Sequence, residues 1–135
     1  MKNTLDVLIV DDQAGVRYLL EILVKESGHN AYTAQNGVEA VEKVQIIKPD
    51  LIFMDVRMPV MGGLEALGNI KRISPNTEVV MMTAYSSEDT AAVALQKGAL
   101  KCMSKPFDVE EIKALLENFV WNSDPYEQAC LENYA

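Results

Sequence analysis

Apolar positions along this chain fall into two rhythms. Short unbroken runs alternate with longer stretches in which apolar residues recur every three or four positions. "VLIV" (7–10) is the first run. The stretch 15–27 has helical spacing and stops at Gly28, a residue suited to a helix C-terminus. "AYTA" (31–34) is a second, weaker strand, and Asn36-Gly37 makes a turn. Residues 38–47 read as helix, closed by Lys48-Pro49 because the residue before a proline avoids helical geometry. "LIFM" (51–54) is the third strand, "MPVMGG" a loop, and 64–73 a helix ended by Ser74-Pro75. "EVVMM" (78–82) is the fourth strand, followed by a helix over 87–97 that ends at Gly98. "LKCMS" (100–104) is the fifth. Asp108 stands as an N-cap with Glu111 completing a capping box, and Ile112, Leu115, Leu116 and Phe119 line one face of a last helix.

Strand and helix thus alternate five times. Alternation with continuous apolar strands predicts an α/β fold: a five-stranded parallel sheet with helices on both faces and right-handed crossovers. If such a (βα)5 chain takes the flavodoxin-like strand order 2-1-3-4-5, the ends of the first and third strands lie centrally and those of the fourth and fifth on one flank. Such open sheets bind ligands at the carboxyl ends of their strands, where the order reverses. The alternation occupies 1–121. Residues 122–135 form an acidic tail outside it, too short for a second domain. Asp124, Pro125 and Glu127 are helix-start signals, and Tyr126, Cys130 and Tyr134 recur at helical spacing. A short extra helix and a frayed end both remain open at this point.

Composition narrows the function classes. With 135 residues, 49% of them hydrophobic, the chain suits one domain with a real core. No apolar run approaches a membrane span, and the start lacks a signal-peptide pattern, so a cytoplasmic protein is expected. Two cysteines, Cys102 and Cys130, are too few for a disulfide framework and lack zinc-ligand spacing. A net charge of −8 without any basic cluster argues against nucleic acid as partner. It suits metal cations or a basic partner surface instead.

The polar residues that end the strands carry the chemistry. The first strand runs into Asp11 and Asp12, the third into Asp55, the fourth into Thr83 and the fifth into Lys105. All project from one sheet edge. Clustered carboxylates repel unless a cation joins them, and hard oxygen ligands with places left for water suit Mg²⁺. A carboxylate beside a metal, a hydroxyl and an ammonium can attack phosphorus and become an acyl phosphate, with the neighbours sharing the equatorial charge. Any one of these residues alone would read as a solvated cap or loop residue. Five at strand ends read as a site.

The ordered set "VDDQ", "MDVRMP", "MTAY" and "KPF" resembles the receiver domain of two-component response regulators, over about residues 5–120. The details are most similar to stand-alone receivers of the sporulation phosphorelay type. The resemblance implies phosphorylation at Asp55. It implies direct Mg²⁺ ligation by Asp12, water-mediated ligation by Asp11, and a further ligand in the backbone carbonyl of Arg57. Thr83 and Lys105 would contact the phosphoryl oxygens, small Ala84 would leave them accessible, and Lys105-Pro106 would be cis. Such a chain is a phosphoacceptor with autocatalytic phosphorylation and dephosphorylation, not an enzyme in the usual sense. Its partner is a histidine kinase or histidine phosphotransfer protein. Three departures stand out: Gly62 where many relatives carry Asp, Cys102 where many carry an aromatic residue, and cationic Arg57 at a variable position.

Rival readings are a motility-type receiver that docks to a target when phosphorylated, a receiver that is never phosphorylated, and a haloacid dehalogenase-like phosphatase. The phosphatase needs Asp-x-Asp, and Arg57 stands where its general acid would be. The intact acid triad speaks against the unphosphorylated receiver. Among lesser candidates, His29 in "SGHN" reads as solvated surface, Met54, Met81 and Met82 as core filler, and Cys102 as a small buried hydrophobe. Tyr85 reads as a functional surface residue. The first helix has two apolar stripes. Val16, Leu20, Leu23 and Val24 suit the core, which leaves Gly15, Tyr18, Leu19 and Ile22 as an exposed strip for the partner. Partial cover of that strip by Phe119 or Val120 is the competing expectation.

Overall fold

The computed structural model describes residues 4–84 and 88–123, with side chains through Phe119. Five parallel strands, β1 (Asp6–Val10), β2 (Asn30–Ala34), β3 (Leu51–Asp55), β4 (Glu78–Thr83) and β5 (Lys101–Ser104), lie in the order β2-β1-β3-β4-β5. They alternate with α1 (Ala14–Glu26), α2 (Gly37–Ile47), α3 (Gly63–Ile73), α4 (Glu88–Gln96) and α5 (Val109–Ser123). The expected (βα)5 order is therefore the observed one. Tyr85 and the tail from 124 onward lie outside the described residues. No described helix is long and apolar enough to cross a membrane.

The unbroken apolar runs make sense because both sheet faces are covered. Leu8, Val10, Ile52, Met54, Val79 and Met81 point to one face, where they meet Ala40, Val44, Leu67 and Ile70 of α2 and α3. Val7, Ile9, Leu51, Phe53, Val80 and Met82 point to the other, where Leu20, Leu23 and Val24 of α1 and Ile112 and Leu116 of α5 close over them. Side chains alternate with period two, so a strand buried on both faces needs every residue apolar. Each fully buried side chain of this size contributes about 1.5–3 kcal/mol. The three methionines sit in these cores as expected, and α1 buries Leu20, Leu23 and Val24 with Val16 half-buried beside them.

The order reverses between β1 and β3, and their register aligns the two ends that matter. Val10 pairs with Met54. The next residues, Asp11 and Asp55, therefore emerge side by side. Asp55 and Thr83 belong to their strands rather than following them, because Asp55 still pairs with Met82 and Thr83 with Ser104.

Three local expectations change. Lys48 ends α2 in the left-handed conformation (φ 50°), its N–H bonding to the Val44 carbonyl at 2.9 Å, where proline alone would favour an extended residue. At α5 the N-cap is present but the box is not: Asp108 Oδ1 accepts from the Glu110 N–H at 2.9 Å, while Glu111 pairs with Lys101 at 3.1 Å. His29 is half-buried rather than solvated, and its Nδ1 accepts from the Leu5 N–H at 3.0 Å. Burial pushes its pKa below the usual value, and the Asp50 carboxylate offsets part of that.

Candidate phosphoacceptor site

Strand ends bring Asp11, Asp12 and Asp55 together as the sequence pattern requires. One carboxylate oxygen from each lies within 4.8 Å of the others. Asp11 is fully buried, Asp55 is 7% exposed and Asp12 is open to solvent. Like charges at this spacing are costly unless something cationic stands between them. Lys105 does so. Its Nζ lies 2.6 Å from Asp11 Oδ2 and 3.3 Å from Asp55 Oδ2. Burial and the Asp11 charge raise the Asp55 pKa against the pull of Lys105. For Lys105 burial works downward, but the two carboxylates outweigh it and its pKa is raised.

Backbone contacts fix these side chains. Asp11 Oδ1 accepts from the Gln13 N–H at 2.9 Å, in a turn that leads straight into α1. Arg17, one turn into that helix, donates to the Asp11 carbonyl at 2.7 Å. The Lys105 N–H donates to the Thr83 carbonyl at 2.8 Å, which ties the two flanking residues to each other. The Lys105-Pro106 bond is cis, as the resemblance implied. Thr83 is buried at the end of β4, and Ala84 beside it is exposed. Asp12, Gln13, Asp55, Arg57, Thr83, Ala84 and Lys105 line one cleft of about 190 Å³. All six positions singled out from the sequence as catalytic or metal-binding are thus at this edge: Asp11, Asp12, Asp55, Arg57, Thr83 and Lys105.

Sequence reasoning missed one residue on which Asp55 depends. Gly63 opens α3, and its N–H donates to the Val56 carbonyl at 2.8 Å. A Cβ at Gly63 would fall 2.1 Å from the Asp55 carbonyl oxygen and 2.9 Å from Met81 Cε. Only glycine lets the helix approach the strand so closely. The Gly62-Gly63 pair was the available signal, read simply as loop.

The surrounding surface also follows the stripes of α1. Tyr18 is 67% and Leu19 42% exposed, Gly15 is exposed, and Ile22 is half-buried. Phe119 is half-buried against the core that α1 and α5 close; Val120 lies beyond the described side chains. Cys102 is half-buried against the apolar core, burial raises its pKa, and its two lysine neighbours in sequence are engaged elsewhere, with Glu111 and with the acid cluster.

Comparison with known proteins agrees with this geometry. The family model described as response regulator receiver domain matches residues 7–117. Sporulation initiation phosphotransferase F of Bacillus subtilis (strain 168) is 38% identical over 114 residues, 84% of this chain and 92% of that protein. DNA-binding transcriptional regulator NtrC of Escherichia coli (strain K12) is 38% identical over 122 residues, 90% of this chain, which spans only 26% of that larger regulator. The structure of Vibrio cholerae chemotaxis protein CheY4 superposes with a TM-score of 0.80 at 30% identity, covering 86% of this chain and 98% of that one. A cleft with two acids from β1, one from β3 and a lysine after β5, on this strand order and over this length of matching sequence, has one reading: the chain belongs to the response regulator receiver family of two-component signalling.

Proposed function

We propose that this chain accepts a phosphoryl group on Asp55 from a phosphohistidine of a partner protein, and passes it on in a phosphorelay. The observation that carries the reading is the Asp55 carboxylate. It is buried among charges at the rigid end of a strand, with Lys105 at 3.3 Å and Asp11 beyond it. In transfer, an Asp55 oxygen forms a bond to phosphorus as the bond from phosphorus to the imidazole nitrogen breaks. The electron pair of that bond stays with the departing imidazole. Lys105 turns from the carboxylates to the transferred group, and Thr83 stands on the same flank to meet another of its oxygens.

The residues present fit Mg²⁺: oxygen donors only, three carboxylates within reach of one ion, and one of them solvent-exposed. Asp12, Asp55 and the Arg57 carbonyl would hold the ion directly and Asp11 through water. When bound, the ion neutralises charge on the phosphoryl oxygens. Phosphorylation and hydrolysis at Asp55 are then catalysed by the chain itself, without a separate enzymatic substrate. A histidine kinase or phosphotransfer protein would seat on Gly15, Tyr18, Leu19 and Ile22, the strip beside the cleft.

The relay role is favoured over docking to a target by the extent of likeness to the sporulation phosphotransferase, which this chain covers almost end to end. The test is label transfer in Mg²⁺ with a panel of histidine kinases and phosphotransfer proteins. The proposal expects label to reach Asp55 from one histidine and to leave for another. Label that enters and is lost only to water would sink the relay and leave the docking switch.

A further inference from the structure

Of the three clustered acids, Asp12 alone is exposed, and no described side chain holds its carboxylate. Asp11 is bonded to Lys105 and to the Gln13 N–H, and Asp55 is paired with Lys105. Asp12 therefore takes its place from the backbone that carries it. That backbone is the peptide between Asp11 and Asp12. Strand β1 has ended at Val10, and the Asp11 N–H makes a last bond to the Ala34 carbonyl at 3.2 Å. The Asp11 carbonyl is bonded instead by a side chain: Arg17 Nη1 donates to it at 2.7 Å. A peptide is planar, so a bond that fixes its oxygen also fixes the direction of the Asp12 N–H. With that direction goes the point from which the Asp12 side chain leaves. A guanidinium is a charged donor, and its bond to a carbonyl is shorter and stronger than a neutral one.

Arg17 makes this contact against the interest of its own helix. It lies near the start of α1, half-buried, and folds back toward the helix N-terminus as long helical side chains do. A cation there opposes the helix dipole, and the first turn of α1 holds no acid to offset it. Glu39 of α2 feels the Arg17 charge, but its pKa is lowered chiefly by its bond to Lys43, which pairs with it at 3.1 Å. Arg17 does not line the acid cleft. It reaches the site only through the peptide that carries Asp12.

We infer that Arg17 is a positioning residue for the metal site: by holding the Asp11 carbonyl it sets the place of the Asp12 carboxylate, and through it the affinity for Mg²⁺. This inference rests on the reading of Asp12 as a metal ligand given above.

The test is calorimetric titration of the full chain with Mg²⁺, without any phosphodonor, and with the urea midpoint of each variant measured alongside. Arg17→Met should raise the Mg²⁺ dissociation constant about tenfold. Labelling by acetyl phosphate should slow at low Mg²⁺ and return to the parent rate when Mg²⁺ saturates. The direction of the change discriminates between roles. If Arg17 acted only by its charge, removing a cation beside the acids would tighten Mg²⁺ binding. If it only anchored α1, the urea midpoint would fall and the affinity would stay. Either result would overturn the inference, as would labelling that stays slow at saturating Mg²⁺. Should Arg17→Met fail to fold, Arg17→Gln, which is shorter and neutral, decides by the same readings. A parent that binds no Mg²⁺ would remove the metal reading itself, and this inference with it; a parent that binds while Arg17→Met binds equally well would remove this inference alone.

Discussion

Asp55 is held against its own charge. Burial and the Asp11 carboxylate raise its pKa, and Lys105 and the Arg57 N–H pull it back. What keeps the group in place is backbone, and Gly63 is the tightest point. Because a Cβ there would sit 2.1 Å from the Asp55 carbonyl oxygen, Gly63→Ala must push the strand end or the start of α3 aside. We expect a loss of about 2–3 kcal/mol in urea unfolding. Labelling by acetyl phosphate should slow roughly tenfold or more, since in-line attack tolerates little displacement. The neighbour is the control: Gly62 has φ −72°, and a Cβ there meets only the Val56 carbonyl at 3.5 Å, so Gly62→Ala should be near neutral. Residues at this scale were legible where position along a strand decides their place. Asp11, Asp12, Asp55, Thr83 and Lys105 end apolar runs, and the end of a run is visible in sequence. Gly63 and Arg17 were not, because each matters through a contact across space, with the Asp55 and Asp11 carbonyls, that no periodicity encodes.

Helix α1 has to face two ways. Its buried stripe closes one core, and its outer stripe starts at the turn made by Asp11 and Gln13. Truncating the two stripes should therefore do different things. Leu20→Ala removes a fully buried side chain and should cost about 2–5 kcal/mol. Leu19→Ala with Ile22→Ala should cost far less. It should cut transfer from a phosphohistidine partner about tenfold or more while labelling by acetyl phosphate stays at the parent rate. Equal transfer by the double variant would move the docking face elsewhere. Elements were legible because helix and strand periods differ sharply in this chain. Their ends were less so. Lys48 takes a left-handed cap ahead of a proline, closed by a local bond to the Val44 carbonyl, and Glu111 leaves the capping box for Lys101 of β5.

The whole molecule separates its chemistry from its anchoring. Reactive groups gather at the carboxyl ends of the strands, and the opposite pole is tied by His29, which accepts from the Leu5 N–H ahead of β1. The parallel sheet was legible from alternation and crossover handedness, and its order came with the family resemblance. The His29 tie was not, since a histidine in a polar turn gives no sign of what lies over it. Its consequence can be measured. Above about pH 6.5 the imidazole is neutral in both folded and unfolded chains. Below that the unfolded chain takes up the proton while the folded one, with its lowered pKa, resists. Stability from this contact is therefore full above the unfolded pKa and lost as pH falls through the folded one. His29→Gln, which retains an acceptor, should show a shallower loss of urea stability between pH 7.5 and 5 than the parent, and identical slopes would remove the tie. The central claim, a phosphoacceptor at Asp55 whose reaction depends on the acid cluster and Mg²⁺, has a more direct test. Incubate the protein with acetyl phosphate, with Mg²⁺ or with chelator, and locate any added phosphoryl group by peptide mass spectrometry. The account predicts one phosphoryl group, on Asp55, in Mg²⁺ only, and none in Asp55→Asn. A phosphoryl group that appears equally in chelator, or persists in Asp55→Asn, would contradict it.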